Sequence, residues 1–227
     1  TCPFFRIADM YVGETTCDGK KKAYEILGED VPMHIMNLPH QKRPQDMEAW
    51  SDEIRIFMKK VEEFTGNEVT LEKLNEAIKL INEKRRALAR LYDCRKNECV
   101  PISGRDVLLI MQIAFFDDPA RLTQMVNKLC DEMEERVKNG VSVAPKKAPR
   151  ILITGTPLAV PNWKMHNIIE SSGGIIVCEE NCTGTRYFAH EVKEDNKTMD
   201  EAVNALTERY LGNINCACFT PNPGRMD

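Results

Sequence analysis

The order of short apolar segments in the last third of the chain restricts its fold more than any other feature. Arg150 to Thr154 carries Ile151, Leu152 and Ile153 in succession and stops at Gly155-Thr156-Pro157. A helical stretch over Asn162 to Ser172 follows and ends at Gly173-Gly174. Ile175 to Cys178 is a second apolar run, closed by Glu179-Glu180-Asn181-Cys182-Thr183-Gly184. Met199 to Leu211 reads as a helix and Ile214 to Phe219 as an extended segment. Short continuous apolar runs are the pattern of strands buried on both faces. Strand–helix–strand–helix order then calls for a parallel sheet with right-handed crossovers.

The beginning of the chain repeats this plan. Ala8 to Glu14 is short and partly apolar, a helix fits Lys20 to Leu27 with Gly28 as its stop, and Val31 to Leu38 reads as a second strand. Pro44 opens a helix carrying Met47, Trp50, Ile54, Phe57, Met58 and Val61 at helical spacing, closed by Gly66. The middle is helical. Leu71, Leu74, Ile78, Ile81, Leu88 and Leu91 form one stripe. Thr70 is placed to cap its start, although Lys73 stands where a full capping box wants Glu or Gln. Further helices are expected from Ser103 over Val107 to Phe115, and from Asp118-Pro119 to Val137. Val141 to Pro149, with two prolines and two lysines, reads as a linker. The expected division is an α/β domain over 1–66, a helical region over 67–140, the linker over 141–149, and a second α/β domain over 150–227.

Hydrophobic residues are 42% and charged residues 29% of the 227, which fits a globular chain with a real core and excludes collagen-like or disordered classes. A net charge of -4 gives no support to nucleic-acid binding. The longest apolar run, Val107 to Phe116, contains Gln112 and is too short to span a bilayer. No charged-then-apolar leader is visible. The chain starts at Thr1-Cys2-Pro3 and stops at Asn222-Pro223-Gly224-Arg225-Met226-Asp227, so it reads as an internal portion of a longer protein. Nine cysteines, an odd count in a charged chain, point away from a secreted disulfide scaffold and toward a reducing cytoplasm.

Two cysteines occupy equivalent places. Cys17 follows a strand and precedes a helix, and Cys182 follows a strand and precedes Thr183-Gly184. Ligands of open parallel sheets gather beyond the carboxyl ends of strands. A thiol there lies near backbone N–H groups that favour thiolate, the species that binds metal. Lys20, Lys21 and Lys22 add positive charge, or are only a solvated helix face. The plainer reading of either cysteine alone is a small residue in a tight turn. Cys216-Ala217-Cys218 adds weight, because residues i and i+2 of an extended segment point to the same side. Cys2 sits in a loop-like start. Soft thiolate groups select zinc, copper(I) or iron–sulfur, and no pair of C-x-x-C motifs marks a zinc ribbon. Ligands spread over two domains fit a cluster at a domain interface better than a structural zinc.

The remaining cysteines and histidines look structural. Cys178 and Cys130 lie in apolar surroundings and are expected in the core. Cys94 and Cys99 flank a charged loop and receive no role. His34, His40, His166 and His190 are scattered and form no ligand motif. Gly155-Thr156-Pro157 lacks a full Gly-rich nucleotide fingerprint. No catalytic residue is assigned.

Gly13-Glu14-Thr15-Thr16-Cys17-Asp18-Gly19-Lys20-Lys21-Lys22, preceded by Thr1-Cys2-Pro3-Phe4-Phe5, resembles the double-cubane cluster proteins, which belong to the 2-hydroxyacyl-CoA dehydratase and benzoyl-CoA reductase family. The resemblance continues through Pro101-Ile102-Ser103-Gly104, Arg150 to Pro157, Glu179 to Gly184 and Cys216 to Asn222. It implies two flavodoxin-like α/β domains, the first incomplete, with an inserted helical region. It also implies an oxygen-sensitive iron–sulfur centre between the domains. By resemblance, Cys17 and Cys182 match ligands common to the family, and Cys2, Cys216 and Cys218 match the additional cysteines of the double-cubane branch. That branch carries an 8Fe-9S double cubane, and the dehydratases carry a 4Fe-4S cubane held by three cysteines.

The implied activity is reduction at very low potential, in an anaerobic cytoplasm. A dimeric ATP-hydrolysing activator with its own iron–sulfur cluster supplies single electrons. In the dehydratases the electron makes a ketyl radical from an acyl-CoA thioester, so that hydroxide can leave. Homodimerisation is the further expectation by resemblance. Glu14, Glu179 and Glu180, near the cysteines, read as proton donors or as hydrogen-bonding and surface groups. A second reading within the family is a 2-hydroxyacyl-CoA dehydratase subunit with one cubane. Readings of other classes are a non-catalytic flavodoxin-like binding domain with incidental thiols, and a structural zinc protein. Family members carry a further cysteine upstream of the segment equivalent to Cys2, and a helix and strand after the segment equivalent to Arg225; neither is in this sequence.

Overall fold

A computed structural model describes residues 7–223. Helices dominate, and the strands pair into two small parallel sheets. This is the α/β class read from the sequence, of flavodoxin-like type. The chain divides into two compact units, Thr1–Asn75 with Val192–Asp227, and Glu76–Glu191. Among the described residues no helix is long and apolar enough to cross a membrane.

In the first unit, β1 (Tyr11–Glu14) lies parallel to β2 (Met33–Met36), with Gly13 opposite Ile35. Helix α1 (Asp18–Leu27) connects them and stacks Tyr24 over Gly13, where a Cβ would come within 2.6 Å of the ring. Only glycine lets the helix lie this close to the strand. Helix α2 (Pro44–Thr65) opens where Asp46 Oδ2 accepts from the Arg43 amide at 3.0 Å and from its guanidinium, and closes at Gly66, whose φ of 71° is a left-handed cap. Helix α3 (Leu71–Asp93) begins where Thr70 Oγ1 accepts from the Lys73 amide. Near the end of the chain, α8 (Met199–Thr207) runs on into a π-helical turn over Glu208–Gly212. The core of this unit is Met36, Leu38, Trp50, Ile54, Val203, Leu211 and Phe219. It joins the end of β2, α2 and α8 to the last loop.

In the second unit, α3 packs with α4 (Gly104–Ile113) and α5 (Pro119–Lys138) around Leu88, Leu91, Val107, Met111, Val126 and Cys130. Ser103 and Asp118 cap their helices through side-chain oxygens, as their positions predict. Strand β3 (Arg150–Thr154) pairs in parallel with β4 (Ile175–Glu180), and the register slips by one between Ile151 and Leu152. Helix α6 (Lys164–Ser171) connects them. The α4 N-terminus rests on β4: a Cβ at Gly104 would lie 2.5 Å from that of Ile176. Glu170 Oε1 accepts from the Gly104 amide at 2.7 Å, a negative charge at the positive end of the α4 dipole. Strand β4 runs two residues beyond the predicted Cys178, and a short helix α7 (Thr185–Phe188) follows it.

Candidate metal centre

Cys17 is the N-cap of α1, immediately beyond β1, with extended backbone (φ -153°, ψ 163°) and an exposed side chain. The approach to it is fixed by hydrogen bonds. The Thr15 amide donates to Met36 O, and Thr15 Oγ1 accepts from the Leu38 amide at 2.9 Å. The His40 ring, through Nε2, donates to Thr16 O at 3.2 Å. The same His40 accepts, at its carbonyl oxygen, from the Thr220 amide at 3.0 Å. One residue therefore joins the segment before Cys17 to the segment after Cys218.

The segment carrying Cys216 and Cys218 corrects the prediction of an extended stretch. Residues 217 and 218 form a turn, closed by the Phe219 amide donating to Cys216 O at 3.2 Å. The cause is Phe219, which is 4% exposed and belongs to the core. Carrying that ring inward from a surface loop requires a reversal that an extended segment cannot make. Asn222 Nδ2 donates to Cys216 O at 2.9 Å, and Lys42 Nζ donates to Ile214 O at 2.7 Å. Burial pushes the Lys42 ammonium below its ordinary pKa, and the charge of Glu208 opposes this. Cys216 is half-buried against the core, whereas Cys218 is exposed, so the two side chains differ in surroundings. The same-side projection inferred from the i, i+2 spacing depends on extended backbone and does not carry over to this turn.

In the second unit, Cys182 lies just beyond β4, exposed. Asn181 is fully buried, and its Oδ1 accepts from both the amide and the hydroxyl of Thr183 at 3.0 Å. Gly184 presses on the strand end so closely that a Cβ would meet the Glu179 carbonyl oxygen at 2.0 Å. Beside the thiol, Arg186 Nη2 donates to Glu180 Oε2 at 2.7 Å, and its Nη1 lies 4.0 Å from Cys182 Sγ. Glu180 Oε2 also accepts from Thr154 Oγ1 at 2.8 Å.

Glu179, near the end of β4, is buried. Its carboxylate accepts from Tyr92 Oη at 2.8 Å, His166 Nε2 at 3.1 Å and Arg95 Nη2 at 3.2 Å. Burial opposes its ionisation, but His166, Arg95 and Tyr92 together hold the carboxyl below the ordinary carboxylate range. Burial, then the Glu179 charge, pushes the Tyr92 phenol up. Sequence reasoning missed Tyr92, Arg95, His166 and Arg186. One signal was available: a Glu at the end of an otherwise apolar strand needs a buried counter-charge. Glu179 is thus a fully engaged hydrogen-bonding group. Cys94 and Cys130 are both buried in the helical core, and burial pushes the Cys130 thiol up to about 12. This gives Cys94 the packing role that the sequence did not reveal.

Cys2 falls outside the described residues. Among the described residues, no group of three or more His, Cys, Asp or Glu side chains gathers to hold a metal ion.

The family model described as 2-hydroxyglutaryl-CoA dehydratase, D-component, matches residues 1–227. This chain belongs to the 2-hydroxyglutaryl-CoA dehydratase D-component family. It is similar to YjiM of Escherichia coli (strain K12), provisionally named a dehydratase subunit, with 37% identity over 99% of this chain and 57% of that protein. It is also similar to the (R)-phenyllactyl-CoA dehydratase beta subunit of Clostridium sporogenes, with 20% identity over 90% of this chain and 52% of that one. A third relative is one of the subunits of benzoyl-CoA reductase from Thauera aromatica, 25% identical over 66% of this chain and 38% of the relative. The D-component chain thus spans about half the length of the first two relatives.

Proposed function

We propose that this D-component chain holds an iron–sulfur centre and serves a low-potential reductase component. Cys17 and Cys182 are the principal ligands in this reading, with Cys2, Cys216 and Cys218 as additional ones. The donor chemistry fits: Cys17 and Cys182 lie beyond the ends of β1 and β4, and thiols are soft enough for iron–sulfur and poor for magnesium or calcium. When bound, an 8Fe-9S double cubane would supply single electrons at low potential. The chain's own residues position and shield it. The observation that carries the reading is His40, which fastens the Cys17 segment and the Cys216–Cys218 segment to one point.

An ATP-hydrolysing iron–sulfur activator as electron donor, a homodimer, and a reducing cytoplasmic setting belong to the same proposal. The names of the relatives support an acyl-CoA thioester as substrate. The test is anaerobic purification of the full-length protein, with iron and sulfide counts and an electron paramagnetic resonance spectrum. About eight irons per chain are expected for two cubanes. A colourless protein without iron contradicts the proposal and favours a non-catalytic binding domain, and zinc in its place favours a structural role.

A second reading has its own observation. Cys216 is tucked against the core while Cys218 is exposed, which suits a site that does not use both. A dehydratase subunit with a single 4Fe-4S cubane follows. It gives about four irons per chain and keeps them when Cys216 and Cys218 are both replaced by Ala.

A further inference from the structure

Arg186 is built into the ground beside Cys182 with more care than a surface ion pair needs. Its side chain is only 13% exposed. Two of its nitrogens, Nε and Nη2, grip the two carboxylate oxygens of Glu180, and Nη2 also reaches the Glu180 carbonyl oxygen at 3.4 Å. Glu180 is fixed in turn by Thr154 Oγ1, from the neighbouring strand β3. A guanidinium is planar, so two fixed nitrogens fix the third. That third nitrogen, Nη1, is the one at 4.0 Å from Cys182 Sγ. The Glu180 charge lies on the far side of the fork from the sulfur. What faces the thiol is therefore an N–H donor carrying part of a positive charge.

From this geometry we infer that Arg186 is a positioning residue for the metal centre, donating an N–H···S bond to Cys182 when that sulfur is a ligand. The inference rests on the iron–sulfur reading and adds to it a residue that tunes the cluster. A hydrogen bond to a ligating thiolate draws electron density from sulfur. The reduced cluster is the more negative state, so a nearby cationic donor stabilises it most. Arg186 therefore holds the reduction potential up. Lysine at the same place keeps the charge but has no fork to be held by Glu180.

The experiment is a redox titration followed by electron paramagnetic resonance, on the full-length protein loaded anaerobically, with iron and sulfide counted in each sample. Arg186→Gln is expected to keep its iron and to shift the midpoint potential to more negative values. Arg186→Lys is expected to shift it in the same direction by less. An unchanged or raised potential in Arg186→Gln with iron retained overturns the inference. Loss of iron from the Gln and Lys variants alike makes Arg186 a structural support and overturns it too. Wild-type protein without iron is a different failure: it removes the iron–sulfur reading itself, and this inference with it.

Discussion

Arg95 and Glu179 meet at 3.2 Å in a place where the first is 0% and the second 2% exposed. A charged pair this deep costs desolvation on both sides, and removing one partner strands the other. Replacing Glu179 by Gln leaves Arg95 buried without its carboxylate. The expected loss is about 3–5 kcal/mol of unfolding free energy, read from urea denaturation.

The same carboxylate gives the stability a pH dependence of known sign. The Glu179 carboxyl is held below its ordinary value of 4.5 in the folded chain. The unfolded state therefore takes up the proton first, and the contribution of this group is complete above that value. As pH falls through the lower, folded value, the contribution disappears. Wild type and Glu179→Gln should thus differ most near pH 7 and begin to converge as pH falls below 4.5. Urea midpoints measured across that range check it, and a constant gap down to pH 3 would contradict the assignment.

Gly184 is expected to tolerate no side chain, because even a methyl would meet the Glu179 carbonyl oxygen at 2.0 Å. Gly184→Ala must push the Cys182 turn off the strand end. The expected cost is about 1–3 kcal/mol in thermal or urea unfolding. Loss of iron should accompany it.

Cys130→Ala and His40→Ala separate packing from ligand support. Cys130 is fully buried in the helical core, and its loss should lower stability by about 1–2 kcal/mol while leaving iron content unchanged. His40 is exposed, and replacing it should change the unfolding midpoint little. Its loss removes the tie between Thr16 and the loop after Cys218. Iron retention during gel filtration should fall in His40→Ala and hold in Cys130→Ala.

Local signals in the sequence are reproduced by the fold where one residue decides the outcome. Ser103, Asp118, Thr70 and Gly66 mark helix ends through their own side chains or backbone freedom, and each is found in that role. The two strand–helix–strand orders gave parallel pairing for the same reason. The misses are long-range. Glu179 and Arg95 are 84 residues apart, and no periodicity ties one to the other. The turn at Cys216 depends on where Phe219 is buried, which only the assembled core decides. For the thiols themselves, Cys17 and Cys182 stand beyond their strand ends as read, while their use as ligands remains a proposal.

Phe219 anchors its loop with carbon alone. The turn that presents Cys216 and Cys218 is thus held by an aromatic plug, a lysine and an asparagine, none of which consults an inorganic guest. A chelator would strip such a loop without unravelling it, and reloading would begin from a scaffold already in shape.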